Sequence, residues 1–411
     1  MPQPRTAPAR RRVQALLVSV ALAGNNAASY LLTAIAARAL SPAVFGELGA
    51  LLALMVVGVV PAMGLQTVVA LRVARGTTSL GRVLALGLTT TTAVTACAVA
   101  LSPVVVVVLH LDGIGQALWL AASLAPLSLL GLFHGILQGA DRFHRLAGMI
   151  GLEALGKAGG GLAGLALVGT TGGTIAGVVI GSTAVAAIGW VACGSPRPAK
   201  RSRGELGAVM HAAQAMLALV LLVNLDLVLA RYFLTAPEAG EYAIGATLTK
   251  VAYWLPSAVG ALVLPRLSDP GDRARTVRVA LAVCAGLDAL VVVGAAVFGP
   301  QLAALIGGAQ YAGADLPMWR FALVGSLLAL VQILLFSRIA HGDRRSAALI
   351  WLAVVAEVAL VAGGLRWGVG SVVAAAVIAT GLLALAGAAV EARSFVRGHN
   401  EDCVRANAGR G

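Results

Sequence analysis

Long apolar stretches follow one another along almost the whole chain. A helix needs about 20 apolar residues to cross the ~30 Å hydrocarbon core of a bilayer. The polar–apolar alternation of a membrane β-barrel strand is not seen in these stretches. We therefore predict an all-α polytopic membrane protein with twelve transmembrane helices, at residues 13–37, 48–71, 83–109, 116–138, 146–168, 173–193, 207–233, 242–265, 277–299, 318–338, 346–365 and 370–392.

Composition excludes a water-soluble fold. Of the 411 residues, 59% are hydrophobic and 11% are charged, whereas soluble domains carry about 25% charged residues. The net charge of +13 would fit a nucleic-acid-binding protein only if the cations formed one face together with polar or aromatic readers. The cations are instead spread over many short loops, so we expect no nucleic-acid partner.

The loops that carry positive charge alternate with loops that do not. Of the 30 lysines and arginines, 24 lie on one side of the predicted membrane, while Arg38, Arg231, Arg320 and Arg366 lie on the other. Cytoplasmic loops are the ones enriched in Lys and Arg. The pattern predicts a multi-pass protein of the bacterial cytoplasmic (inner) membrane with both termini in the cytoplasm. Its cytoplasmic cations are also suited to anionic membrane lipids.

The chain contains an internal repeat. In the first half, Arg, Gly, Pro and Arg follow one another at intervals of 8, 15 and 11 residues, and in the second half at 9, 16 and 10. The matched residues are Arg38, Gly46, Pro61 and Arg72 against Arg231, Gly240, Pro256 and Arg266. Each copy is expected to have a helix ending in Arg, a short Gly-Glu turn and a helix broken at Pro.

Because each copy has six helices, the repeat is parallel, with a pseudo-two-fold axis along the membrane normal, as in many secondary transporters. We expect five segments, which are a basic N-terminus (1–12), a six-helix bundle (13–193), a cytoplasmic linker (194–206), a second six-helix bundle (207–392) and a cytoplasmic tail (393–411).

The repeat residues resemble the MOP flippase superfamily, in particular its polysaccharide-transporter branch. The resemblance lies in AARALSPAVFGE at 36–47, PAMGLQ at 61–66, NLD at 224–226, AGEYA at 239–243, Lys250 and LPR at 264–266. It implies two MATE-like six-helix bundles arranged as a V, and a flippase for lipid-linked oligosaccharides. Many lipid flippases of the superfamily have two further helices. Their absence from the twelve predicted here keeps the drug-exporter relatives as an alternative.

Charged and amide side chains inside the predicted helices are candidate site residues, because each ionised group costs about 2.5–3.5 kcal/mol at the bilayer centre. Asp226 and Lys250 are expected at similar depth on consecutive helices, where they form either a structural ion pair or a substrate site. In the second case Lys250 and Arg231 attract a diphosphate. The candidates for substrate binding are Lys250, Arg231, Asn224, Arg38 and Asn25, and those for ion coupling are Asp226, Asp288 and Glu357.

Other polar or small residues favour structural roles. Glu153 and Lys157 are spaced as an internal helix pair, and Gly156, Gly160 and Gly164 predict a close helix-packing face. A partial P-loop at 151–157 is rejected because Ala158 replaces the Ser or Thr that would bind magnesium. Most of the six histidines are expected at helix ends or in loops, in interfacial rather than catalytic positions, and the four cysteines are widely separated. We therefore expect no metal and no cofactor.

Three functions fit these features to different degrees. The first is a flippase for a polyprenyl-diphosphate-linked oligosaccharide in surface polysaccharide biosynthesis, acting as a monomer beside a polysaccharide polymerase or glycosyltransferases. The second is a proton- or sodium-coupled exporter of small molecules. The third, a membrane glycosyltransferase or ligase, would need a large outer loop, but the outer loops at 111–116, 169–173 and 234–241 are short. We expect a transporter and not an enzyme.

Overall fold

The computed structural model describes residues 8–76, 78–199, 205–263, 273–339 and 345–408. In this part of the chain every regular element is a helix. The α-helices are α1 (Pro8–Ala39), α2 (Pro42–Gly58), α3 (Val60–Ala74), α4 (Leu80–Leu109), α5 (Ile114–Gly139), α6 (Phe143–Val168), α7 (Thr171–Ala192), α8 (Glu205–Phe233), α9 (Ala236–Val263), α10 (Arg273–Val297), α11 (Gly299–Gly307), α12 (Met318–Ile339), α13 (Arg345–Ala362) and α14 (Val369–Ala408).

Eleven of the twelve predicted stretches coincide with helices to within a few residues, whereas the last helix, α14, continues past the predicted end at 392 to Ala408. The stretch 48–71 corresponds to α2 and α3 together, which are interrupted at Val59. Pro61 occupies the first turn of α3, where a missing N–H is tolerated. The predicted break near this proline is confirmed. The equivalent Pro256 lies within the continuous helix α9.

Seven helices of the described residues are long and apolar enough to cross a membrane, and the bent pair α10 and α11 raises the number to eight. The chain is thus a multi-pass membrane protein, while the count of twelve spans and the orientation of the termini stay predictions. The bend between α10 and α11 is 89° and occurs at Gly299-Pro300, where proline favours the first turn of a new helix.

The prediction that Gly46-Glu47 and Gly240-Glu241 form turns is wrong, because both pairs lie inside helices. Helix α2 begins at Pro42, a favoured first helical residue. Helix α9 begins after Thr235, whose N–H and hydroxyl both donate to the Glu238 carboxylate. A Glu side chain that accepts from the backbone N–H of the residue before the helix is one half of a capping box, and both helices start before the Gly-Glu pair.

The chain divides into two compact units. The first contains Met1–Thr247 and Ala303–Ala314, and the second contains Leu248–Leu302 and Asp315–Gly411. In the first unit, α6 packs against α1 and α7, α5 packs against α3, α4 and α7, and α8 packs against α2 and α3. In the second, α12 packs against α10 and α14, and α13 packs against α14. These units are defined by packing and the predicted halves by the repeat, so the boundaries of the halves stay a prediction.

Helices α6 and α7 approach each other through glycine. A Cβ atom added to Gly160 would lie 2.2 Å from the carbonyl oxygen of Gly177. Gly156 meets Gly181 and Gly164 meets Gly173 in the same way. Such contacts let helix backbones pack closely without the hydrophobic driving force of water. The predicted glycine packing face of α6 is confirmed.

Candidate functional site

The two copies of the repeat meet where α2 and α9 cross near their N-terminal ends. A Cβ atom added to Gly46 would lie 2.7 Å from the backbone nitrogen of Gly240, and one added to Gly240 would overlap the carbonyl oxygen of Pro42. One turn further, Gly49 meets the Ala243 methyl group. Gly46 and Gly240 are equivalent residues of the repeat, as are Gly49 and Ala243. We name this contact between equivalent residues the repeat crossing. Contact between equivalent residues is what a pseudo-two-fold axis at this point would produce, and the axis itself stays a prediction.

The two repeat arginines flank this crossing and have reciprocal partners. The guanidinium of Arg38, in the last turn of α1, donates to the carbonyl oxygen of Leu305 in α11. Arg231, in the last turn of α8, donates from Nε to the carbonyl oxygen of Leu109 at 2.9 Å and also contacts the carbonyl of His110 at 3.5 Å. Arg231, from the first helix of the second copy, reaches the end of α4, the third helix of the first copy. Arg38, from the first helix of the first copy, reaches α11, which follows the third helix of the second copy.

The carbonyl groups bound by these arginines are ones that a helix end leaves unsatisfied. The last four carbonyls of an α-helix have no partner within the helix, and cations near a C-terminus are stabilised by the helix dipole. Leu109 is the last residue of α4, and Leu305 lies in the last turn of α11. The Gln310 amide adds a second link, because it donates to the carbonyls of Ala37 and Leu40 beside Arg38. The structure thus gives Arg38 and Arg231 a helix-capping role, and their substrate-binding role stays a prediction.

Acidic side chains surround the same crossing. Glu47 and Asp112 are the acids in electrostatic contact with Arg231. Glu47 is 8% exposed and lies next to the Thr171 hydroxyl. The equivalent Glu241 lies near Glu238. Because carboxylates and guanidinium groups meet here, an anionic ligand at the crossing would have to compete with Glu47 for Arg231.

Asn224 and Asp226 lie buried on α8, at 2% and 4% exposure. The Tyr242 hydroxyl donates to Asp226 Oδ2 at 3.1 Å, and the backbone N–H of Leu227 donates to Oδ1 at 2.8 Å. Asn224 donates to the carbonyl of Val220, while its buried side-chain oxygen has no hydrogen bond. These residues belong to the first unit and Lys250 to the second, so the pairing of Asp226 with Lys250 stays a prediction.

The two remaining coupling candidates lie buried in the second unit. Asp288 on α10 is 3% exposed and Glu357 on α13 is 1% exposed. The Ser326 hydroxyl lies next to Asp288, although neither carboxylate oxygen of Asp288 has a hydrogen bond of standard geometry. Burial of this kind fits a coupling site, and this role of both acids stays a prediction.

Asn25 lies partly buried in α1, the helix that packs against α6. Its backbone carbonyl accepts a hydrogen bond from Ser29, and its buried side-chain oxygen has none. Burying an amide oxygen without a hydrogen-bond donor raises the free energy of the folded protein. The substrate-binding role of Asn25 stays a prediction.

The predicted interfacial location of His134 is wrong. The residue is 6% exposed on α5, with its Nε2 atom 3.7 Å from the Glu153 carboxylate on α6. The flanking sequence LGLFHGIL is apolar on both sides of the histidine, which is the signal that could have indicated burial. Among the described residues, no group of three His, Cys, Asp or Glu is placed to hold a metal ion.

Solved structures share this architecture over nearly the whole chain. A multidrug resistance MATE family transporter of the MOP superfamily matches with a TM-score of 0.75 at 14% identity, covering 95% of this chain and 99% of the other. The lipid II flippase MurJ matches with a TM-score of 0.73 at 13% identity, covering 90% of this chain and 86% of the flippase. The chain has the fold of MOP superfamily transporters.

A further MOP superfamily transporter, from Pyrococcus furiosus, matches with a TM-score of 0.58 at 14% identity over 92% of this chain and 94% of the other. Its structure is described by a reverse polarity of the binding pocket that suggests a different function. No family model matches the chain, and no curated protein matches it in sequence. The MOP fold is therefore established by structure, and the polysaccharide-transporter branch stays a prediction.

Sequence reasoning found the two arginines of the crossing but not their partners. Leu109 and Leu305 contribute backbone carbonyls, which carry no sequence signal. Gln310 and Tyr242 were missed because they lie outside the matched repeat positions. The repeat itself marks Glu47 and Glu241, whose equivalence is the signal that could have placed them at the crossing.

Proposed function

We propose that this protein is a transporter that flips a polyprenyl-diphosphate-linked oligosaccharide across the bacterial cytoplasmic membrane for surface polysaccharide biosynthesis. The observation that carries the proposal is the fold shared with a lipid II flippase over 90% of the chain. The resemblance of the repeat residues to the polysaccharide-transporter branch supports it. In this proposal twelve helices cross the membrane, both termini are cytoplasmic, and the chain acts as a monomer beside a polymerase or glycosyltransferases.

The proposed mechanism is alternating access. The repeat crossing lies at the extracytoplasmic end, where the caps made by Arg38 and Arg231 hold helix ends of both copies together. Opening on that side exchanges these carbonyl partners for water, and closing restores them. Hydrogen bonds between protein groups and hydrogen bonds to water differ by only about 0.5–1.5 kcal/mol each, so such a contact can be made and broken in each cycle.

Recognition of the diphosphate is assigned to the cation and amide candidates. Charge-assisted hydrogen bonds to phosphate are stronger than neutral ones, and Lys250 is the cation that the sequence places inside the second half. Asn224 and Asn25 offer side-chain oxygens to sugar hydroxyls, since both oxygens lack hydrogen bonds. Lys250→Ala is expected to lower the rate of flipping, and Lys250→Arg to retain part of it. A wild-type rate in Lys250→Ala would remove Lys250 from the site.

A second candidate is a proton- or sodium-coupled exporter of small molecules. The match to a multidrug MATE transporter and the burial of Asp226, Asp288 and Glu357 favour it. An acidic interior suits cationic substrates, whereas a diphosphate requires cations.

One experiment separates the two candidates. The gene is deleted, and the lipid-linked oligosaccharides of the cytoplasmic leaflet are extracted and quantified beside a strain complemented with the wild-type gene. The flippase proposal expects the oligosaccharide to accumulate on the cytoplasmic leaflet and surface glycan to fall. Normal surface glycan together with increased sensitivity to dyes or drugs would contradict it and support the exporter.

A further inference from the structure

Three ionisable side chains lie together between α5 and α6. His134 Nε2 is 3.7 Å from Glu153 Oε2, and the two side chains are 8% and 17% exposed. Lys157 lies one helical turn beyond Glu153, is partly buried and is in electrostatic contact with it. Neither His134 nor these two α6 residues is used by the flipping mechanism proposed above.

The cluster contains one ionisable group more than charge neutrality requires. Glu153 and Lys157 alone neutralise each other, and internal pairs of this kind lower the cost of placing charges in a bilayer. His134 Nε2 is buried without a hydrogen bond, and its distance of 3.7 Å from the carboxylate is longer than a hydrogen bond. Buried nitrogen atoms are normally hydrogen-bonded. A proton on Nε2 would convert this contact into a charge-assisted bond to Glu153 after a small approach.

The helices that pack against α5 and α6 carry their charged residues near their ends. Helices α5 and α6 pack against α1, α2, α3, α4 and α7. The titratable or charged residues on the described length of those helices are Arg10, Arg11, Arg12, Tyr30, Arg38, Glu47, Arg72, Arg82 and Cys97. Within the described residues, Glu153 is the one charged group in electrostatic contact with His134 and with Lys157. One carboxylate therefore serves two bases.

This shared carboxylate links proton binding to access by water. With neutral His134 the cluster has no net charge, and with protonated His134 it has one positive charge. A net charge away from water costs several kcal/mol, so the protonated form is favoured when water reaches the cluster and disfavoured when packing closes over it. Occupancy by a proton then follows the conformational state of the surrounding helices.

We propose that His134 and Glu153 bind one proton that is taken up and released in each transport cycle, with Lys157 as the fixed charge that limits the site to a single proton. A proton adds to the Nε2 lone pair and leaves to water, and no other bond changes. The proposal rests on the transporter function given above. It places a proton site in the first half of the chain, apart from Asp226, Asp288 and Glu357.

The first test measures protonation directly and needs no transported substrate. Full-length protein with ¹⁵N-labelled histidine is placed in lipid nanodiscs and titrated by NMR from about pH 5 to about pH 9, the range in which histidine changes charge. The signal missing in His134→Gln identifies His134. We expect it to titrate in this range and its midpoint to fall by about one pH unit in Glu153→Gln, because the imidazolium loses its opposite charge. Glu238→Gln, at the start of α9, is the matched control and should leave the midpoint unchanged.

A second test connects the proton to transport. In cells, the appearance of lipid-linked oligosaccharide on the outer leaflet is followed with and without a protonophore. Wild-type flipping should slow when the gradient is collapsed, while His134→Gln and the isosteric Glu153→Gln should flip slowly under both conditions. A His134 signal that does not titrate, a midpoint unchanged in Glu153→Gln, or wild-type flipping that ignores the protonophore would each overturn the proton site. Only normal surface glycan in the deletion strain would overturn the flippase itself.

Discussion

Two helix contacts in the first unit depend on glycine and differ in what surrounds the glycine. At the α6–α7 interface six glycines meet in register, and the two helices are consecutive in the chain. At the repeat crossing one pair, Gly46 and Gly240, meets between distant parts of the chain, with arginine and glutamine hydrogen bonds around it. Close backbone packing cannot be replaced by water without leaving a void, whereas hydrogen bonds at a rim can be exchanged for hydrogen bonds to water. We therefore expect the first contact to persist and, under the proposed alternating-access mechanism, the second to open.

The largest expected effect is on folding, from a substitution in the α6–α7 interface. A Cβ atom at Gly177 would lie 2.0 Å from the carbonyl oxygen of Gly160, so Gly177→Val must push the helices apart. Overpacking costs about 1–3 kcal/mol and occasionally more. We expect little folded protein after detergent extraction and a lowered thermal unfolding midpoint. Gly159→Val, where a Cβ has no neighbour within 4 Å, is the matched control. Equal midpoints for the two variants would contradict a permanent interface.

The next effect is on transport, from the same substitution made at the repeat crossing. A Cβ atom at Gly240 would lie 2.0 Å from the carbonyl oxygen of Pro42, so Gly240→Val prevents closing there. An overpacking cost of about 1–3 kcal/mol would reduce the closed population about tenfold or more. We expect surface glycan to fall strongly while the unfolding midpoint changes less than in Gly177→Val. Gly286→Val, on α10 with open space around it, serves as the control. A variant that unfolds as Gly177→Val does would show that the crossing is also permanent.

A smaller effect is expected from removing the arginine hydrogen bonds beside the repeat crossing. Arg231→Ala removes the donor to Leu109 and His110, and hydrogen bonds to charged groups contribute about 1.5–3 kcal/mol. Arg38→Ala removes the reciprocal donor to Leu305. Each variant should lower the thermal midpoint modestly, and the double variant should show the sum, because the two caps share no partner. Arg75→Ala, at an exposed position after α3, is the control. A double variant no worse than either single one would mean that the two caps act as one element.

The comparison also shows what sequence can and cannot predict. The spacing of Gly156, Gly160 and Gly164 on one helix predicts the α6 packing face, because a helix brings residues four apart onto one side. The repeat pairs Arg38 with Arg231 and Gly46 with Gly240, but the contact of Gly46 with Gly240 depends on a fold that joins residues almost 200 positions apart. The dipeptide Gly299-Pro300 signals the bend between α10 and α11. A prediction based on the length of apolar stretches does not use that signal. Burial of His134 was missed because a polar residue in an apolar run was assigned by type and not by its neighbours.

The smallest effect tests whether the hydrogen bond between Tyr242 and Asp226 is one of the structural contacts around the repeat crossing. Tyr242 follows Gly240 by two residues on α9, is fully buried, and joins α9 to Asp226 of α8 through its hydroxyl. Tyr242→Phe removes this donor but leaves Oδ1 of Asp226 bound to the Leu227 N–H, so a loss of about 1 kcal/mol is expected. A double-mutant cycle with Asp226→Asn, measured by thermal unfolding, isolates the pair. Coupling between the two substitutions would give Asp226 a structural role at the repeat crossing. Additive effects would contradict that placement and leave the carboxylate to the ion-coupling role predicted from its position in the membrane.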